Sequence, residues 1–386
     1  MNIVHVYLTM PAFIVGSGYQ ESIMTEIHSE MGHNVTVLAG GYIFNESCGQ
    51  NVSINRDDYE TKDGVKIHVL PISHRYGFFS KFKDYDGVFE ALCQLQPDVI
   101  FVHGGQSITL KDVIRYRKKH KNTRLYIDQH GDYNIMPIDT VKRRLVQKYI
   151  YGHFIRKAVP YVETFWGVTP WRCQYLHEVY GVPEKKIDLL VMGGKDKYIH
   201  LENKEEIRKS IRKRYGLSEE DFLIITGGKL ERNKQVSLLM RAVAEANREN
   251  LKLLVFGRAD EEMKDEIETL SKDNHIIMAG WLNAEDIYDY YLAADLAVFP
   301  GAHSVLWEQS QACGLPGIFK DWEGMHHVNV NGSALFLKED SSEEIKNLLL
   351  ELMEHGEKYD KMKQAAVCYG VQRFSYAQIA RKAIGL

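Results

Sequence analysis

Cysteine is scarce and unpaired in this chain. Its five residues, Cys48, Cys93, Cys173, Cys313 and Cys368, are scattered and odd in number. That argues against a disulfide framework and a structural metal cluster, and fits a reducing cytoplasm. No apolar run reaches the roughly 18 residues that span a bilayer. The opening NIVHVYLTM has neither a basic leader nor a small-residue cleavage site, so neither a membrane span nor a signal peptide is expected. With a net charge of −4 the chain has no global attraction for nucleic acid. It contains no sequence repeat and no low-complexity tract. What is present is 45% hydrophobic and 26% charged residues over 386 positions, enough to bury large cores in about two or three domains.

Short apolar runs alternate with amphipathic segments. NIVHVYL, NVTVLAG, VKIHVLP, DVIFVHG, RLYIDQHG and TFWGVTP read as buried parallel strands. YQESIMTEIHSEMG between the first two reads as a helix stopped at Gly32. After KIDLLVMGG the composition turns strongly charged (KDKYIHLENKEEIRKSIRKRYG), which suggests an inter-domain connection followed by a surface helix. A second set follows: DFLIITGG, LKLLVFG, HIIMAGW, DLAVFPG and LPGIFKD. The chain closes with the helical segments SEEIKNLLLELMEHG and YAQIARKAIG. The expected fold class is α/β, two Rossmann-like domains in tandem with a central cleft. A single large doubly wound sheet is the competing architecture.

Four groups lie where loops leave the carboxyl ends of strands. In LIITGGKLERNKQVSLLMRAV (223–243) an apolar strand is expected to enter a glycine turn at Gly227 and Gly228. Lys229 and Lys234 then flank a helix start, where backbone amides and the macrodipole favour an anion. Lysines on helices are commonly only solvated, but open α/β sheets bind ligands at this end of the strand. In IVGSGYQES, Gly16 and Gly18 precede a helix. The dinucleotide fingerprint fails there, because its third glycine position is Glu21, so the loop reads as backbone that approaches a phosphate or sugar.

His103 in VHGG and His130 in DQHGD each end an apolar strand, and at least one is expected to be functional. A zinc site of His130 with Asp128 and Asp132 is not expected, on the view that these residues do not share one face. In FPGAHSVLWEQSQACGLPGIF (299–319) a small-residue loop turns into a helix carrying Glu308 and Gln309. The amides of His303, Ser304 and Val305 would face an anion, and a carboxylate one turn in can accept both hydroxyls of a ribose. Trp307, Val305 and Leu306 indicate that this turn is packed.

The order of these motifs resembles glycosyltransferase family 4, the retaining enzymes of the GT-B fold, over nearly the whole chain. GYQESIMTEIHSEMGHNVTVL is similar to the family's first loop, helix and second strand. Gly194 and Asp196 match its Gly-x-Asp. Lys229 stands where arginine is usual in its phosphate clamp, and Lys234 stands at the clamp lysine. The backbone around Trp281 and Leu282 resembles the stretch that holds the nucleotide base. Members usually carry two glutamates with seven residues between them. Aligned on ACGLP, Gly301 occupies the first position and Gln309 the second, with Glu308 one residue early.

The resemblance implies an amino-terminal domain over 1–195, rejoined by a C-terminal helix over about 372–386, and a donor domain over 196–371. It implies a retaining transfer from a nucleotide diphosphate sugar, with uridine the expected base, to a glycan or lipid-linked glycan, as in surface-polysaccharide assembly. His130 would meet the donor sugar, the Gly16–Gly18 loop would lie under the diphosphate and acceptor, and His103 and Tyr19 would face the acceptor. Lysines and helix amides would replace a metal, and no cofactor is called for. Basic stretches at 114–124 and 141–157, the second interleaved with Tyr149, Tyr151 and Phe154, suggest a cytoplasmic protein docked peripherally on anionic lipid at the inner face of the plasma membrane. A same-fold epimerase or phosphorylase, and a nucleotide-sugar binder without turnover, stand as alternatives. A nicotinamide dehydrogenase is more distant.

Overall fold

The computed structural model describes residues 1–8, 19–45, 50–53, 57–73, 84–354 and 356–386, with backbone alone over 42–45 and 50–53. Two compact units divide the chain: Met1–Val191 with Ala380–Leu386, and Met192–Ile379. The division precedes the expected residue 195 because Gly194 bonds through its amide to the Phe374 carbonyl and Lys195 to the Tyr288 hydroxyl, both in the second unit.

In the first unit the strands are β1 (Asn2–Tyr7), β2 (Asn34–Gly40), β3 (Tyr42–Asn45), β4 (Gln50–Ser53), β5 (Tyr59–Glu60), β6 (Lys66–Leu70), β7 (Val99–His103), β8 (Arg124–Gln129), β9 (Thr164–Gly167) and β10 (Ile187–Leu189). Eight of them form one sheet in the order β10-β9-β8-β7-β1-β2-β6-β5, parallel except for the edge pair β5–β6, while β3 and β4 form a separate antiparallel ladder. The central strands are buried along their length, as apolar runs without alternation require when helices cover both faces. The helix Gln20–Glu30 crosses from β1 to β2 and ends before Gly32, whose φ of +81° suits a left-handed stop. The carboxyl-terminal residues are held in this unit by carbonyls: Ala383 accepts from the Trp166 indole at 3.1 Å and Ile384 from Arg124 at 2.9 Å.

The second unit has one fully parallel sheet of β11 (Phe222–Leu230), β12 (Leu251–Ala259), β13 (Ile276–Gly280), β14 (Leu296–Phe299), β15 (Gly317–Lys320) and β16 (Ala334–Leu337), in the order β13-β12-β11-β14-β15-β16. The charged stretch after residue 195 does form a helix, Lys204–Arg214, but it is not only a surface element. Its Arg212 is 1% exposed, and with Arg208 it grips Asp295 at 2.6 and 2.7 Å. Asp295 also accepts the Leu223 amide at 2.8 Å, so this carboxylate ties that helix to the starts of β11 and β14.

Candidate functional site

Ligands of open parallel sheets sit beyond the carboxyl ends of strands where the strand order reverses. In the first unit that point lies between β1 and β7, beside β8. His103 ends β7 and Asp128 lies in β8, one residue before its end; both are buried. His130 follows in the loop, its side chain 29% exposed, with Nε2 3.1 Å from Asp128 Oδ2 and 3.7 Å from Glu21 Oε1. Burial works against a charged imidazole, but the Asp128 and Glu21 carboxylates outweigh it and raise the His130 pKa to about 9. Burial would likewise lift Asp128, yet the flanking His130 and His103 hold its carboxyl far below the usual range.

The expectation that Asp128 and His130 diverge is corrected: positions two apart share one face of a strand, and these two meet. Asp132 does turn away, pairing with Arg172 at 3.2 Å and capping the amides of Asn134 and Ile135. His103 is enclosed between His5 and Asp128, so it presents no surface to an acceptor. Tyr19 is exposed at the start of the helix Gln20–Glu30, while Gly16 and Gly18 lie outside the described residues.

The reversal point of the second unit lies between β11 and β14, where the lysine segment meets the 299–319 segment. No glycine turn follows Ile225. Strand β11 continues to Leu230, with Gly227, Gly228 and Lys229 in register with Phe256, Gly257 and Arg258 of β12. The glycines permit this because the two backbones nearly touch: a Cβ on Gly257, at φ +117°, would fall 1.8 Å from the Gly228 carbonyl oxygen. Lys229 is therefore an exposed strand residue, and only Lys234 abuts the helix, Val236–Ala246.

Half-buried Lys234 donates from Nζ to the carbonyls of Ala302 and His303 at 2.8 and 3.3 Å, and burial lowers its pKa. Lys234 thus clasps the loop from which His303, Ser304 and Val305 lead into the helix Leu306–Ala312. Trp281, 68% exposed, and the partly buried Leu282 follow β13.

Glu308 does not face the loop's outer side. It is fully buried, with Oε1 accepting from Nε2 of His303 at 2.8 Å and of His327 at 2.9 Å. Burial would raise its pKa, but the two imidazoles keep the carboxyl far below its ordinary value. A role for Glu308 at a ribose is thus corrected by helix phase. Trp307, Glu308 and Gln311 share the inner face, and Gln309 is the partly exposed polar residue one position on. His327 was not anticipated; it lies in the short turn His326–Val328, with no motif around it.

Residues 207–367 match the family model described as glycosyl transferases group 1, a segment lying wholly within the second unit. The chain is 24% identical over 236 residues to mannosylfructose-phosphate synthase of Agrobacterium fabrum, covering 57% of this chain and 51% of that protein. It spans about half the length of the curated relatives it matches. Among solved structures, a glycosyltransferase from Rickettsia africae is similar with a TM-score of 0.70 and 16% identity, covering 99% of this chain and 96% of that one. An Anabaena protein solved in complex with UDP is similar with a TM-score of 0.66 and 14% identity, covering 99% and 98%. The fold is that of the GT-B glycosyltransferases, two α/β units each built on a largely parallel sheet.

Proposed function

We propose that this protein is a retaining glycosyltransferase that moves a sugar from a uridine diphosphate sugar to a glycan or lipid-linked acceptor. The observation that carries the reading is the clasp of Lys234 on the Ala302–His303 backbone at the strand-order reversal of the second unit. It lies in the segment that matches the glycosyl transferases group 1 model. The uridine base is supported by the similar Anabaena protein, which has been solved with UDP and with UDP-glucose. In this reading Lys229 and Lys234 stabilise charge developing on the departing diphosphate, with loop amides at 303–305 and without a metal ion. The base lies along Trp281 and Leu282, Gln309 serves the ribose, and His130 donates to the donor sugar. In a front-side reaction the leaving phosphate oxygen takes the acceptor proton, so no side-chain base is needed.

A second reading, nucleotide-sugar binding without transfer, is favoured by one observation. No carboxylate stands at the aligned position of the family's first glutamate, Gly301, and Glu308 is enclosed by two imidazoles. A thermal-shift screen of nucleotide sugars tests both readings, because a ligand of the folded state raises apparent stability. Stabilisation by uridine sugars followed by transfer supports the first; stabilisation without transfer to any acceptor supports the second. No response to any nucleotide sugar removes both.

A further inference from the structure

Behind His130 runs an unbroken line of hydrogen bonds through the first unit. His28 Nε2 meets the Ala380 carbonyl at 2.8 Å, and His28 Nδ1 meets His5 Nε2 at 3.0 Å. His5 Nδ1 meets His103 Nε2 at 2.8 Å, and His103 Nδ1 meets Asp128 Oδ2 at 2.8 Å. All three rings are buried, the same Asp128 oxygen faces His130, and Asp128 Oδ1 accepts the Gly104 amide.

Both ends of this line are acceptors, a carbonyl and a carboxylate. Four contacts need four protons, whereas three neutral imidazoles carry three. With neutral rings, one contact of 2.8 to 3.0 Å would press two lone pairs, or a lone pair and a carboxylate oxygen, against each other. We propose that His28, His5 and His103 form a proton-loaded relay, four protons on three rings, which joins the Ala380 carbonyl to Asp128 and sets the charge that His130 meets. The proton count stands independently; its bearing on transfer rests on the role proposed for His130.

The end of the line beside Asp128 is where an added positive charge meets a carboxylate partner. Burial, and then the neighbouring rings, hold the His5 pKa down; burial holds that of His28 down, to about 4. The other titratable groups facing the line are Tyr7 across the edge of His103, Glu21 and Arg172 around His130, and His33 beyond His28. The N-terminal amine and Arg381 in turn act on His33.

The count also predicts a switch. If the Ala380 carbonyl leaves His28, only three contacts remain, and three neutral rings, each protonated at Nδ1, satisfy them. The His103 Nε2 proton passes to His5 Nδ1, the His5 Nε2 proton passes to His28 Nδ1, and the His28 Nε2 proton departs to solvent. Asp128 loses its buried counter-charge, and its full charge acts on His130. His5, His28 and His103 are in this sense positioning residues that report the seating of the carboxyl-terminal segment.

The test is nitrogen NMR on full-length protein labelled at histidine, near pH 7.5. The expected result is N–N coupling across both imidazole pairs, with bonding protons also on His28 Nε2 and His103 Nδ1. A line with any one of the four protons missing overturns the proposal. His28→Phe leaves two contacts for two rings, so it should hold one imidazolium fewer and raise the midpoint of the His130 titration by about one pH unit. His5→Phe, which cuts the line in the middle, gives the same proton count if His28→Phe does not fold. An unmoved His130 midpoint in a folded variant would overturn the coupling. Because the titration is read by NMR, the outcome is separate from whether any sugar is transferred.

Discussion

Gly301 packs directly on the backbone that carries Lys234: a Cβ added to it would lie 2.4 Å from the Lys234 carbonyl carbon and 2.3 Å from the Asn233 oxygen. The missing glutamate is thus coupled to the seating of the clamp segment. Gly301→Glu should not recreate the family pattern. It should displace the 233–234 segment and destabilise the protein by about 1–3 kcal/mol, as overpacking does. A Gly301→Glu protein that melts like the parent would contradict this account of the position.

Lys234 has two tasks in the proposed reaction, holding the 302–303 carbonyls and meeting the diphosphate. Lys234→Met keeps most of the stem but removes the charge, so UDP-dependent stabilisation should be lost and turnover should drop by about 100-fold or more. Lys229, exposed on β11, has no comparable structural bond among those described, so Lys229→Met should weaken UDP binding with little change in the unliganded melting point. Equal loss of intrinsic stability in both variants would argue that the clamp is structural rather than ligand-binding.

Glu308 offers a pH test. Its pKa is depressed on folding, so its contribution to stability is present above the unfolded value, about 4.5, and is lost as pH falls through the lower folded value. A hydrogen bond to a charged group contributes about 1.5–3 kcal/mol, and Glu308 accepts two. Glu308→Gln should therefore melt well below the parent at pH 7, with the gap narrowing as pH falls below about 4.5. Denaturant titrations at pH 7 and pH 4 give the comparison, and a gap independent of pH would remove the carboxylate's charge as its cause.

Much of the architecture was readable because buried parallel strands write themselves as continuous apolar runs. β1, β2, β6 to β9 and β11 to β15 all fall on such runs. The ladder β3–β4, the two-residue β5 and the edge strands β10 and β16 carry no such signal, being short or peripheral. Site detail failed where geometry rather than residue type decides. A glycine pair reads as a turn but here lets two strands approach, so Lys229 moved from a helix flank to a strand. Glu308 and Gln309 differ by one step of helix phase: alignment on ACGLP sets Gln309 at the second position, and only residue type, a carboxylate, speaks for Glu308. His5 and His28 lie inside an apolar strand and an amphipathic helix, with no motif around them. Their signal was a polar ring at positions otherwise given to the core.

The basic stretch at 141–157 forms Val141–Leu145, a wide helical turn over Val146–Tyr151 and Gly152–Ala158, all in one run. Val141, Leu145 and Tyr149 are exposed by half or more alongside Lys142, Arg143, Arg144 and Lys148. Apolar side chains among cations suit shallow insertion into anionic lipid, where each near-surface cation contributes about 1 kcal/mol. Of these cations, Arg143 already pairs with Asp139 at 2.9 Å, so its share should be the smallest. Lys142→Glu with Arg144→Glu should abolish co-sedimentation with phosphatidylserine vesicles and leave UDP-dependent stabilisation intact. Val141→Ser with Leu145→Ser should weaken binding even at low salt, which a purely electrostatic attachment would not show. Sedimentation that is the same with neutral and anionic vesicles would remove the membrane from the proposed acceptor side and favour a free glycan.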